Sequence, residues 1–109
     1  MLKKSPSLPI NTLYKLHYDI IHFLVEAFIM FDKIKSQNHE CLFAYICNEH
    51  KELDLDWFFF EQLRVKRNGI HYYGSKVSKE DFKKIEIQFN LYSNLLIKQI
   101  KQNLHFQVS

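Results

Sequence analysis

The chain has 109 residues, of which 47% are hydrophobic, 16% aromatic and 25% charged, a composition typical of one globular domain and not of a disordered chain. Only two Gly and two Pro are present, too few for the many turns of a β-sandwich or β-barrel, so we predict a single all-α domain over residues 1–109. The net charge of +3 permits a nucleic acid or another phosphate-bearing partner without requiring one.

The first predicted helix runs from about Ile10 to Lys35, and Pro9 suits its start. Its apolar residues recur at steps of three and four, which is the period of one apolar helix face. They are Leu13, Leu16, Ile20, Phe23, Leu24, Ala27, Phe31 and Ile34. After the polar residues 36–38, a second, shorter helix is predicted from His39 to about His50.

A third helix is predicted to begin with Asp54 and Asp56 in its first turn, where carboxylates complement the helix dipole. It is expected to end near Tyr73, because Gly74 suits the left-handed conformation that follows many helices. The aromatic run 57–60 covers every side of one helical turn, more than one buried face can absorb. Part of this run is therefore expected to contact another protomer.

The fourth helix is predicted to start after Ser78, which precedes a capped beginning. Six apolar residues follow at near-heptad spacing over about five turns; they are Phe82, Ile85, Phe89, Tyr92, Leu96 and Ile100. Amphipathic helices joined by short loops pack against one another. The sequence therefore predicts an antiparallel four-helix bundle with two long helices and shorter ones.

Neither an export signal nor a membrane-spanning segment is indicated. The N-terminal lysines are followed by polar residues 11–12 and not by a continuous apolar core. The most apolar stretch, residues 20–31, is interrupted by charge and is shorter than a membrane span. Cys41 and Cys47 match neither a zinc motif nor a disulfide framework, so we expect reduced core thiols in a cytoplasmic protein.

The segment 63–74 holds the residues best suited to chemistry. With about 100° between successive residues of a helix, Arg64, Asn68 and His71 share a face, and Arg67 stands four residues before His71. An arginine can bind two phosphate oxygens at once through parallel hydrogen bonds and keeps its positive charge, whereas histidine can transfer a proton near neutral pH. These groups predict a site that cleaves a phosphodiester with no metal and no other cofactor.

This segment, on the penultimate long helix, resembles the HEPN domain, a small bundle of four or five helices. The family's hallmark is Arg, four to six intervening residues and then His, usually with Asn, Asp or His directly after the Arg. The resemblance implies that the RNA 2′-hydroxyl attacks the adjacent phosphate without a metal and leaves a cyclic phosphate. It also implies that His assists proton transfer, that Arg stabilises the phosphate, and that two protomers pair their motifs in a homodimer. A nucleotidyltransferase-type antitoxin is a further implied partner.

Two registers of this motif compete. Arg67 is followed by Asn68, but three residues separate it from His71, whereas Arg64 is separated from His71 by six residues and is followed by Val65. Both arginines therefore remain candidate catalytic residues beside His71 and Asn68. Alternatively, the Asn-Gly pair at 68–69 ends the helix and carries His71 away from Arg64.

Further residues are predicted to support the site. Lys66, Tyr72 and Tyr73 are candidate RNA contacts, through phosphate and through stacking on bases, although tyrosines of a small bundle also belong in its core. Asp19 and Glu26 on the first helix are candidates to hold an arginine of the third helix or to line the site, with surface placement as the alternative.

Three functions follow from these patterns. The first is a HEPN-type endoribonuclease, toxin-like in its pairing with an antitoxin. The second is a non-catalytic HEPN-like module that binds RNA, a nucleotide or a partner protein, which the irregular motif spacing favours. The third is a structural helical subunit whose aromatic surface forms an obligate complex and whose basic residues are a solvated helix end.

Overall fold

The computed structural model describes residues 9–32 and 39–108, and this part of the chain is helical without any β-strand. The prediction of an all-α protein is confirmed. The α-helices are α1 (Ile10–Ile29), α2 (His39–Glu49), α3 (Trp57–Tyr73) and α4 (Lys79–Val108), and short 3-10 helices cover Met30–Asp32 and Lys51–Leu53. Among these described helices, none is both long enough and apolar enough to span a membrane. The predicted end of the first helix at Lys35 falls outside the described residues.

The start of α3 differs from the prediction. The carboxylate of Asp56 accepts a hydrogen bond of 3.0 Å from the backbone N–H of Phe58, so Asp56 caps the helix from outside its first turn. Asp54 lies farther out, at the end of a 3-10 helix, with a left-handed φ of 55°. The prediction that both carboxylates lie in the first turn is therefore wrong, because the left-handed residue interrupts the helical path before α3 begins.

The predicted boundary between α3 and α4 is confirmed. Gly74 ends α3 with a φ of 66°, a conformation that favours glycine, and its N–H donates to the carbonyl of Ile70 at 3.2 Å. The hydroxyl of Ser78 accepts a hydrogen bond from the N–H of Asp81 at 3.1 Å. That bond satisfies one of the N–H groups that the first turn of α4 leaves without a helical partner.

Helix α1 buries a different face from the one predicted. Its buried residues are Tyr14, Tyr18, Ile21, Val25, Phe28 and Ile29. In contrast, Leu16, Ile20 and Phe23 of the predicted apolar face are exposed, Phe23 by 66%. The helix has two apolar faces, and α2, α3 and α4 all pack against α1 on the side that carries the two tyrosines. The hydrophobic pattern by itself does not distinguish these faces.

The predicted antiparallel arrangement applies to α3 and α4 but not to α1 and α4. Asn11 near the start of α1 donates to the carbonyl of Ser75 at 2.8 Å, just before α4, and the His17 ring lies 4.3 Å from the ring of Phe89. The first halves of α1 and α4 therefore run in the same direction. The N–H of Asp56 before α3 donates to the hydroxyl of Tyr92 at 2.8 Å, halfway along α4, so α3 and α4 run antiparallel as predicted.

Aromatic side chains form the centre of the core. Phe43 of α2 stacks on Phe60 of α3 with 4.6 Å between ring centroids, and Tyr92 of α4 lies 5.6 Å from Phe60. The aromatic run at the start of α3 divides, since Phe59 and Phe60 are buried while Phe58 is 68% exposed. Contact of the exposed part with another protomer stays a prediction.

Cys47 agrees with the expected reduced state. It is a free, partly buried thiol, and burial raises its pKa to about 11. A thiol with so high a pKa holds its proton at neutral pH and is a poor nucleophile. The side chain of Cys41 lies outside the described part of the structure.

Candidate functional site

Helix α3 continues without a break through Gly69. The carbonyl of Gly69 accepts a hydrogen bond from the N–H of Ser75 at 3.2 Å, in the bonding pattern that closes the helix beyond Tyr73. The alternative that the helix ends at residues 68–69 is therefore wrong. Arg64 and His71 lie two turns apart and within about 20° of each other around the helix axis, with Arg67 about 40° from His71.

Arg64 is held by a carboxylate of its own helix. Its Nε donates to Oε1 of Glu61 at 3.2 Å, and its Nη2 donates to Oε2 at 2.6 Å, so the guanidinium and the carboxylate meet in a two-point contact. Asp19 and Glu26, which the sequence offers as partners for an arginine, are exposed on α1. Glu61 is the residue that the sequence reasoning missed, although its i, i+3 spacing to Arg64 predicts such a pair.

Arg67 lies against an aromatic ring and keeps a donor without a partner. Its guanidinium carbon is 5.4 Å from the ring centroid of Tyr18, a cation–π distance, and its buried Nε has no hydrogen-bond partner among the described residues. Burial raises the pKa of Tyr18 to about 12, against the opposing effect of both arginines, so the phenol stays neutral. Buried donors without a partner are rare in proteins.

His71 is exposed on the same side of α3. Its ring meets the ring of Tyr72 edge to face at 4.8 Å, and Tyr72 is 69% exposed. Tyr73 is 84% exposed, so the alternative that both tyrosines belong to the core is wrong. Arg67 and His71 thus lie on one side of α3, and they are residue types that bind phosphate oxygens and transfer protons.

The remaining predicted residues lie elsewhere. Lys66, Asn68 and Tyr73 line a groove of about 910 Å³ between α3 and the first turns of α4, together with Tyr14 of α1. Neither arginine nor His71 lines this groove. The structure therefore divides the basic segment between two faces of α3, because residues that are close in sequence point in different directions around a helix.

A second polar cluster joins the end of α1 to the end of α2. Nε2 of His50 lies 2.6 Å from Oδ2 of Asp32, its Nδ1 lies 3.1 Å from Oε2 of Glu52, and the hydroxyl of Tyr45 donates to the same Asp32 oxygen at 2.8 Å. Burial lowers the pKa of His50, but the two carboxylate contacts outweigh it and raise that pKa above its ordinary value. The arrangement favours an imidazolium that ties three elements together.

The sequence reasoning missed this cluster because His50 and Asp32 are far apart along the chain, and no local spacing pairs them. Over the parts 9–32 and 39–108, no three His, Cys, Asp or Glu side chains are placed to share a metal ion.

Comparison of the chain with family models, with curated proteins and with solved structures gives no match.

Proposed function

We propose that this chain is a HEPN-like four-helix protein that acts on RNA as a metal-independent endoribonuclease in the cytoplasm. The unbroken course of α3 through Gly69 carries the proposal, because it keeps Arg64, Arg67 and His71 on one side of a single helix. The arginine and histidine of both registers then lie on one side of α3, while Asn68 lines the groove.

Arg67 is the arginine best suited to bind the scissile phosphate. Its guanidinium carbon lies 5.4 Å from the ring centroid of Tyr18, and no carboxylate of the described residues forms an ion pair with it. Arg64 is paired with Glu61, so its charge is already compensated and it is less suited to direct phosphate contact. His71 is exposed and can reach a substrate that lies on this face.

In the proposed reaction, the RNA 2′-oxygen attacks the adjacent phosphorus while His71 accepts the 2′-hydroxyl proton. The bond from phosphorus to the 5′-oxygen breaks, and that oxygen receives a proton from a second imidazolium, His71 of a partner copy in the homodimer. The products are a cyclic phosphate and a 5′-hydroxyl. Arg67 stabilises the charge that develops on the phosphate oxygens. A nucleotidyltransferase-type antitoxin is the protein partner that we propose for this toxin-like activity.

The test is cleavage of a mixed RNA panel in EDTA by the wild type, by His71→Ala and by His105→Ala. His105 is an exposed histidine on α4 and provides a matched control. We expect cyclic-phosphate ends from the wild type and from the control variant, and no cleavage by His71→Ala. Cleavage that survives His71→Ala would refute the proposal.

The contact between Arg64 and Glu61 favours a second candidate, an RNA-binding module without cleavage, because it keeps one motif arginine from a catalytic phosphate contact. This candidate predicts salt-sensitive RNA binding without turnover. Glu61→Gln would release Arg64 and strengthen that binding. If the folded protein binds neither RNA nor nucleotides, only a protein partner remains, as for a structural subunit.

A further inference from the structure

An exposed apolar ridge runs along the outer side of α1. It consists of Leu16, Ile20, Phe23, Ala27 and Met30, whose alternating steps of four and three residues are those of a heptad seam. Leu16, Ile20, Phe23 and Met30 are exposed, Met30 by 61%. Apolar side chains that line up over four turns of a helix and remain in contact with water are typical of an interaction surface.

The flank of the α1 ridge is acidic. Asp19 and Glu26 are exposed and lie seven residues apart, so both are on the same edge of the ridge. Within residues 9–32 and 39–108 neither carboxylate has an ion-pair partner. The ridge therefore combines an apolar seam with negative charge that no described residue compensates in an ion pair.

The groove between α3 and α4 has the opposite charge. Its walls include Phe58, Val65 and Ile85, and the two lysines that line it, Lys66 and Lys84, form no ion pair with any described residue. Glu61, which also lines the groove, is compensated by Arg64. Asp81 is the other acidic lining residue. The groove is therefore apolar with positive charge in excess.

We propose that the α1 ridge of one copy docks into the α3–α4 groove of a second copy. The ridge spans about 21 Å from Leu16 to Met30 and the groove wall about 22 Å from Phe58 to Tyr73, at about 1.5 Å of rise per residue. Apolar surface meets apolar surface, and the acidic flank meets Lys66 and Lys84. Two ridges packed in antiparallel fashion would instead bring acidic flanks together, which opposes such a contact.

This contact joins two different surfaces of the chain. Two copies that dock reciprocally, each ridge in the other's groove, form a closed pair, and copies that dock head to tail form a ring or an open chain. Arg67 and His71 lie outside both surfaces. Self-association by this route is thus independent of RNA cleavage, and either proposal can fail without the other.

The test is sedimentation velocity over a range of protein and salt concentrations. We expect the wild type to associate further as its concentration rises and to dissociate in high salt. The groove variant, Lys66→Glu with Lys84→Glu, and the ridge variant, Asp19→Lys with Glu26→Lys, should each lose this concentration-dependent and salt-sensitive association when alone. An equimolar mixture of these two variants should associate again, because each ridge then faces a groove of opposite charge.

The control variant, Lys98→Glu with Lys101→Glu, alters exposed lysines of α4 away from the groove and should associate as the wild type does. Circular dichroism checks that every variant is folded. A wild type whose sedimentation changes with neither protein nor salt concentration would overturn the proposal, and so would folded variants whose mixture does not regain the association. A groove variant that associates alone like the wild type would indicate a ridge-to-ridge contact instead.

Discussion

The two polar faces of α3 differ in how the protein treats their charges. On one face, Arg64 is bound to Glu61 and Arg67 lies over the ring of Tyr18, so both cations have partners on the protein. On the other face, Lys66 lies in an apolar groove without an ion-pair partner among the described residues. The first face therefore holds its cations against other groups of the protein, whereas the second leaves a lysine without a charged partner among the described residues.

This difference shows that a basic cluster in a sequence is not one site. Arg64, Lys66 and Arg67 lie within four consecutive residues, yet the helix separates Lys66 from Arg64 by about 160°. The two tyrosines are also on different faces, since Tyr73 lines the groove while Tyr72 contacts His71. Variants that change one face at a time can therefore separate their functions.

The largest effect on stability is expected at a core residue of α3, which holds the helix and therefore both of its polar faces in place. Phe60 is fully buried and stacks on Phe43, so Phe60→Ala should lower the free energy of unfolding by about 3 to 5 kcal/mol. Phe58→Ala, two residues away and mostly exposed, should change it by less than about 0.5 kcal/mol. Urea unfolding measures both. Equal losses would show that α3 is not packed as described.

The next largest effect is expected on the rate of RNA cleavage, which should depend on one face of α3 and not on the other. Arg67→Ala should slow RNA cleavage by about 100-fold or more, because it removes the donor that stabilises the charged phosphate. Lys66→Ala, on the groove face, should leave the cleavage rate unchanged. Single-turnover kinetics with saturating enzyme measures the two variants side by side. A loss in Lys66→Ala as large as that in Arg67→Ala would contradict the division of α3 into two faces.

A smaller effect on stability is expected at Gly69 within α3 and at Gly74, which ends it. Gly74→Ala should destabilise the protein by about 1 kcal/mol, because its φ of 66° is unfavourable for a residue with a Cβ atom. Gly69→Ala should stabilise it by up to about 1 kcal/mol through helix propensity, since the new Cβ meets only the exposed side chain of Ser75, at 3.3 Å. Thermal unfolding would reveal the opposite signs, and a loss in Gly69→Ala would indicate that Ser75 cannot move aside.

The smallest expected effect is the dependence of stability on pH that arises from His50 and Asp32. The raised pKa of His50 means that its contribution to stability is present below the ordinary histidine value of 6.5 and is lost as pH rises through its folded pKa. Burial raises the pKa of Asp32, but the hydrogen bonds from His50 and Tyr45 outweigh it and lower that pKa. The contribution of Asp32 is therefore lost as pH falls through its folded value.

We expect His50→Gln to remove part of the stability between these limits, by less than about 1 kcal/mol because the cluster is partly exposed. Urea unfolding of the wild type and of this variant, at a pH below the ordinary histidine value and at one well above it, measures the effect. The difference in stability between the two proteins should shrink at the higher pH. A difference that does not change with pH would show that His50 acts only through packing.

Local features of the fold were predictable from the sequence. The all-α class, the end of α3 at Gly74 and the cap at Ser78 depend on neighbouring residues and on backbone conformation, and the structure agrees. The pair of Arg64 and Glu61 is local too, because an i, i+3 spacing places the two side chains side by side on a helix. We did not predict it. In contrast, the contact between His50 and Asp32 depends on how the ends of α1 and α2 meet, which no local pattern encodes.

The sequence by itself determined that α1 is a helix, because apolar residues recur along it with the helical period. It did not determine which side of α1 is buried, since Leu16, Ile20 and Phe23 form as good an apolar face as Tyr14, Tyr18 and Ile21. Only the packing of α2, α3 and α4 on the tyrosine side decided that, and it left the other face in contact with solvent. Burial depends on contacts between distant segments, and a hydrophobic period records only the order of residues along one helix.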